Sequence, residues 1–236
     1  MPPPVAGASC TPSTPTERTI IVTLPVRDDI NRGLRDALQA TGLPWLPVYG
    51  MSDLPRARSL LITRALKLGA EVVAFIDADI VATAGQIRAL AEHPRLSDRG
   101  AVTGLYAVRS GQAWACDADP DHPEPDGCLP ARTAGLGFAA MTRESLWRAG
   151  ADLPDILDRE SGELWRPYCL PFVEEIDGVN EYLSEDIALW RRLARTETRT
   201  WADPKLTVGH LTQAAIYHPL RGRSSADEPT AIAKAL

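Results

Sequence analysis

The sequence predicts an α/β fold, a mainly parallel sheet flanked by helices, and three observations predict it. Apolar, β-branched runs such as Thr19 to Val26 (TIIVTLPV) have the composition of strands buried on both faces. Between them apolar residues recur at helical spacing. The two kinds of segment alternate along the first half of the chain.

After the first strand, Asp28 and Asp29 precede Ile30, Leu34 and Leu38, spaced for a helix that Gly42 and Pro44 end. A short strand follows from Trp45 to Tyr49. Pro55 opens a second helix with Leu61, Ala65 and Leu68 on one face and Gly69 as its stop. EVVAFID, Glu71 to Asp77, is a third buried strand. Thr83 and Gln86 make a T-x-x-Q capping box for a helix through Ala91 that ends at Pro94, and AVTGLYAV supplies a fourth strand. The second half is less regular. Residues 109 to 133 lack periodicity and read as a long loop, GLGFAAMT as a strand and TRESLWRAG as a short helix. A second irregular stretch, 152 to 180, carries Trp165 and Tyr168, whose rings either cover the core or offer a surface for stacking. Ser184 then opens a helix with Ile187, Trp190, Leu193 and Ala194 facing inward, and RTWAD and KLTVGH read as short closing strands.

With 236 residues, 44% of them hydrophobic, the chain can bury one full core. The N-terminal residues 1 to 17 have neither the basic nor the apolar region of a secretory signal and read as a flexible leader rich in proline, serine and threonine. A net charge of −6 argues against general binding to nucleic acid or anionic membranes. The most hydrophobic stretch, Val72 to Ala82, is broken by Asp77 and Asp79, short of the about 18 apolar residues of a membrane span. Four cysteines without a C-x-x-C pair suggest reduced thiols, so the expected setting is cytoplasmic.

Four groups of residues carry candidate chemistry. Asp77 and Asp79 end the third strand; in an extended chain they project to the same side, toward the ligand crevice at the carboxyl edge of an open sheet, where two carboxylates hold a divalent cation. Ser184-Glu185-Asp186 is either an N-cap followed by the acids a helix dipole favours, or a site in which Asp186 acts as general base. His210 is a structural histidine or, with the two aspartates, a nitrogen ligand, and such a mixed set suits Mn²⁺ better than Mg²⁺. Arg56 and Arg58 oppose the dipole at the start of their helix unless an anion, such as a diphosphate, sits with them. Gly135 and Gly137 either let a ligand approach the backbone or ease strand packing. The run from Asp117 to His122 begins like a calcium loop, but His122 and Cys128 stand where that loop requires glycine and glutamate.

Taken in order, TLPVRD, RARSLLITRALKLGAEVVAFIDADI, GLGFAAMTRESL, YLSEDIALWRRL and WADPKLTVGH resemble a glycosyltransferase of the GT-A type, similar to GT2-like enzymes with a D-x-D strand end, an acidic helix start and a late histidine. The resemblance implies one GT-A domain over 18–220, a Rossmann-like mixed sheet with a nucleotide-binding half at 18–108 and a donor-sugar and acceptor half at 109–220, followed by a tail at 221–236. It implies a metal-assisted sugar transfer from a nucleotide-diphosphate sugar, a UDP-sugar, to a carbohydrate or small hydroxylated acceptor. Asp79 and His210 bind Mn²⁺ or Mg²⁺ in this reading, and Asp77 contacts the ribose or a metal-bound water. Pro25 and Arg27 line the nucleotide base, Arg56 and Arg58 take the basic positions before the long helix, Gly137 and Phe138 wall the donor sugar, and Glu185 and Asp186 stand near the acceptor. The segment after His210 departs from the pattern, since the glycine expected two residues on is absent. Two alternatives are a haloacid-dehalogenase-like phosphatase, whose nucleophile pattern AFIDADIV fits although those proteins carry it on their first strand, and a non-catalytic nucleotide-sugar-binding protein.

Overall fold

The computed structural model describes residues 18–97, 99–108, 111, 113–159, 161–211 and 216–217. The expected leader and tail, with residues 218–220 and Cys10, lie outside the described residues, as do residues 212–215 just after His210. The first half runs β1 (Ile20–Val26), α1 (Arg32–Thr41), β2 (Trp45–Tyr49), α2 (Leu54–Lys67), β3 (Val72–Ile76), β4 (Ile80–Val81), α3 (Ala84–Ala91) and β5 (Gly100–Leu105). The second runs β6 (Cys116–Ala118), β7 (Leu129–Ala134), β8 (Phe138–Thr142), α4 (Arg143–Ala149), β9 (Ile156–Leu157) and β10 (Leu164–Trp165). It closes with β11 (Phe172–Ile176), β12 (Val179–Leu183), α5 (Glu185–Ala194), β13 (Arg199–Thr207), β14 (Gly209–Leu211) and β15 (Ile216–Tyr217).

Eight strands form one mixed sheet in the order β2-β1-β3-β8-β5-β13-β7-β6. β1 is parallel to β2 and β3, and β5 to β13, while β8 is antiparallel to β3 and β5, and β7 to β13 and β6. Only β7 and β8 therefore run against the other six, so the sheet is mostly parallel in direction. Alternate strand residues feed two cores, as the pleat requires. Val22, Leu24, Val72 and Ala74 pack with Leu34, Leu38, Ile87 and Leu90 from α1 and α3 on one face. Ile21, Val73, Phe75 and Met141 pack with Ile62, Ala65, Leu146, Leu189 and Trp190 from α2, α4 and α5 on the other.

Local signals explain the helix ends and correct several expectations. α1 starts after Asn31, whose side chain accepts from Leu34 N, so Ile30 is a buried residue ahead of the helix. In α2 the cap is Asp53, accepting from Arg56 N, and Leu68 is 63% exposed because the last turn leaves the core. The Thr83 and Gln86 capping box forms as expected. In α5 the inward residues are Ala188, Leu189, Trp190 and Leu193, with Ala194 exposed.

The two stretches read as irregular are not loops throughout. Within 109 to 133, β6 and β7 pair as the sheet's edge hairpin, and Arg95 holds Glu124 and Asp126 of its turn. Within 152 to 180, β9 pairs with β10 and β11 with β12. Trp165 and Tyr168 are 8% and 2% exposed, so burial removes Trp165 as a stacking platform. RTWAD and KLTVGH form one long strand, with an irregularity between Asp203 and Thr207, and then β14. Among the described residues, no helix is long and apolar enough to cross a membrane.

Candidate active site

The site sits at the carboxyl ends of β3 and β5. β3 hands over to β8 at its last pair, Ile76 opposite Phe138, and Asp77 N donates to Gly137 O at 3.0 Å. The chain then turns, with Ile80 N donating to Asp77 O at 3.0 Å, and Asn31 Nδ2 at the start of α1 pins the turn through Ala78 O and Ile80 O. Because residues 77 to 80 form a turn, the alternation expected of an extended chain does not apply, and the two aspartates meet different partners.

Asp77 faces Arg58. The guanidinium Nη2 donates to both carboxylate oxygens, at 2.9 and 2.8 Å, while Nη1 lies 3.4 Å from Glu185 Oε1. Arg58 is only 4% exposed. Burial works against its charge, and the field of Asp77, helped by Glu185, more than offsets that and holds its pKa above the ordinary arginine value. Burial, reinforced by Asp186, raises the pKa of the Glu185 carboxyl, with Arg58 opposing. The anions expected near Arg56 and Arg58 are thus supplied by the chain itself. Arg56 donates to the buried Asp158, Nη2 to Oδ2 at 2.6 Å, which anchors the β9–β10 hairpin to α2.

Asp79 faces His210. The β14–β4 ladder places His210 opposite Ile80, Leu211 N donates to Asp79 O, and His210 Nε2 lies 3.2 Å from Asp79 Oδ2. Nδ1 lies 2.9 Å from the carbonyl oxygen of Ala107. A carbonyl only accepts, so Nδ1 carries the proton and the lone pair of a neutral imidazole is on Nε2, against the carboxylate. Two acceptors at this distance need a cation between them, either a proton that makes His210 an imidazolium or a metal ion. One oxygen and one nitrogen are two of the several donors a divalent cation takes.

Tyr106, just past β5, joins these parts and was missed by sequence reasoning, where it was one apolar residue of a strand. Its hydroxyl accepts from Gly137 N at 2.9 Å, and its ring meets His210 edge-on at 5.5 Å. A Cβ at Gly135 would fall 2.1 Å from that hydroxyl, and one at Gly137 would fall 2.8 Å from it and 3.1 Å from Asp77 Oδ2. The G-x-G segment is therefore required by close packing on Tyr106 and Asp77.

The remaining expected residues are spread around this centre. Asp186 Oδ1 accepts from Ser184 Oγ and from Ile187 N at 2.8 Å, so the serine at the N-cap position turns to Asp186 and makes no side-chain cap to the backbone. Pro25 is half-buried at the end of β1, and Arg27 is exposed just beyond it. Phe138 is fully buried in the core. A cleft of about 840 Å³ lined by Arg99, Trp147 and Arg199 opens at the opposite edge, with none of the expected residues in it.

A second cluster, unforeseen from sequence, joins His93, Cys128 and Asp203, whose ligating atoms lie within 4.8 Å of one another and are buried. His93 Nδ1 accepts from Arg95 N at 3.1 Å, which leaves the proton on Nε2, facing Asp203 Oδ2 at 3.3 Å and Cys128 Sγ at 3.9 Å. Burial raises the Cys128 thiol to about 11. The three form a hydrogen-bonded core cluster here, and the Arg95 amide on His93 Nδ1 works against a metal on Nε2, since a metal-bound histidine donates through its other nitrogen.

No family model matches the chain, and no curated protein matches it. Among solved structures, A197 from STIV is 14% identical, with 89% of this chain and 98% of that one covered and a TM-score of 0.55. GalNAc-T7 with UDP, GalNAc and Mn²⁺ is 12% identical over 83% of this chain and 44% of its own, with a TM-score of 0.49. Glucosyl-3-phosphoglycerate synthase from Mycobacterium tuberculosis, in complex with phosphoglyceric acid, is 14% identical over 83% and 73%, with a TM-score of 0.37. At these identities the likeness to A197 shows the fold alone.

Proposed function

We propose that the chain is a GT-A-type glycosyltransferase that moves a sugar from a UDP-sugar to a hydroxyl acceptor with the help of Mn²⁺ or Mg²⁺. The observation that carries this reading is the pairing of Asp79 with His210 at 3.2 Å, at the same carboxyl edge of the sheet as the Asp77–Arg58–Glu185 chain, where open α/β sheets bind ligands. Asp79 and His210 would hold the metal, which when bound supplies Lewis-acid stabilisation of a departing diphosphate. Asp77, fixed by Arg58, orients a ribose hydroxyl or a metal-bound water. Pro25 and Arg27 flank the nucleotide base, and Gly137 borders the donor sugar.

On the acceptor side Asp186 takes the hydroxyl proton. Its Oδ1 is occupied by Ser184 and Ile187 N, which fixes the carboxylate plane, while Oδ2 makes no hydrogen bond among the described residues and is the oxygen left to take the proton. Glu185 orients the acceptor beside it. With Trp165 buried, the proposed acceptor remains a carbohydrate or small hydroxylated molecule, without that ring as its platform. The reduced cysteines Cys116, Cys128 and Cys169 suit a cytoplasmic setting. The phosphatase alternative is disfavoured because the D-x-D turn follows β3, with two strands and two helices ahead of it.

The test is a panel of nucleotide sugars incubated with the protein and Mn²⁺. Slow metal-dependent hydrolysis of one UDP-sugar is expected; release of inorganic phosphate from simple phosphoesters without sugar release would point to the phosphatase, and no turnover or binding of any donor would overturn the assignment.

A further inference from the structure

We infer that Arg58 is a positioning residue that acts through Asp77 on nucleotide binding and ties that carboxylate to Glu185 on the acceptor side; the inference rests on the glycosyltransferase reading. Arg58 lies in α2 between Ala57 and Leu60, both buried and apolar, in a helix that already packs through Leu61, Ile62 and Ala65. An apolar side chain at this position would serve packing as well, since a buried ion pair is a poor source of stability compared with a hydrophobic replacement. The arginine also leaves its Nε buried without a hydrogen-bond partner among the described residues. What the guanidinium uniquely supplies is geometry. One nitrogen, Nη2, bonds both oxygens of Asp77 at 2.9 and 2.8 Å, and the other, Nη1, reaches Glu185 at 3.4 Å.

Three elements meet at that fork: α2, the end of β3 and the first turn of α5. Asp77 is therefore held by the guanidinium on both oxygens and by its own N–H on Gly137 O, and its Oδ2 sits over that glycine, 3.1 Å from where a Cβ would fall. With both oxygens already bonded, Asp77 is better suited to accept one further hydrogen bond from a hydroxyl or water than to chelate an ion through both. Lysine carries the same charge but offers a point donor, which does not reproduce the two-oxygen contact and the Glu185 contact together.

A double-mutant cycle tests this, with binding of UDP plus Mn²⁺ followed by calorimetry on the full chain. Arg58→Lys and Asp77→Asn should each weaken binding by about tenfold, and the double variant should be no weaker than the poorer single by more than about threefold, because both changes remove one contact. Additive losses near a hundredfold overturn the coupling while leaving the functional reading intact. Absence of UDP binding by the wild type overturns both together. Should Arg58→Lys fail to fold, the pair Arg58→Lys with Asp77→Glu, in which the longer acid meets the shorter reach, provides the readout: recovered folding with UDP binding supports the inference, and a folded double variant that binds no UDP overturns it. In transfer assays Arg58→Lys should raise KM for the donor and lower kcat as well, since both carboxylates lose their fork; a change confined to thermal stability overturns the positioning role.

Discussion

His210 Nε2 lies 3.2 Å from Asp79 Oδ2 while Nδ1 of the same imidazole donates to Ala107 O, so the contact is made through a cation, either a second imidazole proton or a metal ion. Such a pair repels unless a cation is shared. Mn²⁺ and UDP together should therefore raise the melting temperature more than either alone, since ligands that bind only the folded state add stability with the logarithm of their excess. Asp79→Ala and His210→Ala should each abolish the joint shift in thermal denaturation; persistence of the shift in both would remove the pair from metal binding.

Asp186→Asn should cut sugar transfer by about 10²- to 10⁴-fold, the usual range for loss of a general base, while UDP and Mn²⁺ affinity stay within threefold. Steady-state transfer and binding measured on the same preparation check this. An unfolded variant would instead assign Asp186 to the start of α5, where it accepts from Ser184 and Ile187 N.

Gly135→Ala should destabilise the fold by about 1 to 3 kcal/mol, the usual cost of overpacking, since the new methyl would fall 2.1 Å from the Tyr106 hydroxyl. Tyr106→Phe removes that oxygen and should recover part of the loss in the double variant. Urea denaturation of the four proteins reads the coupling, and equal destabilisation in both backgrounds would contradict the contact.

Arg56→Ala should lower stability by about 3 kcal/mol, because the buried Asp158 carboxylate loses its guanidinium partner, and should leave UDP affinity unchanged. The opposite pattern, normal stability with weakened UDP binding, would return Arg56 to the diphosphate.

Incubation with Zn²⁺ or with a chelator should leave the melting temperature of the apo protein unchanged at the His93, Cys128 and Asp203 cluster, since the Arg95 amide holds the proton on His93 Nε2. A Zn²⁺-dependent rise that vanishes in His93→Gln would show that the cluster takes a metal.

Much of the first half was legible because β1, β3 and the capping box at Thr83 are local signals: apolar runs and a hydrogen-bond motif within four residues. Their alternation also conveyed the layer architecture. The second half was less readable for physical reasons. β6 has three residues and β9 and β10 two each, too short to show a period, and they are fixed by partners that pairing brings from elsewhere in the chain. At the site, residue types were visible but their partners were not. Asp77 and Arg58 are separated by a helix end and a whole strand, and nothing in D-x-D spacing says that the chain turns between the two acids. Tyr106 escaped because a buried tyrosine in an apolar run looks like any other core residue until its hydroxyl is seen on Gly137 N.

The placement of β8 has a consequence for the order in which a nascent chain can mature. β3 and β5 lie on either side of β8, which belongs to the second half and pairs with both. While residues 18 to 108 emerge from the ribosome, those two strands have no neighbour to join them, and two facing edges stay open, the condition under which unpaired strands recruit the wrong partner. The seam closes only when residues 138 to 142 arrive, and the same stitch delivers Gly137 O to Asp77 N. Assembly of this edge is thus a late event in synthesis: a chain truncated before β8 carries both acids of the D-x-D turn with Asn31 and Arg58, yet lacks the Gly137 carbonyl, Glu185 and His210 that complete their surroundings.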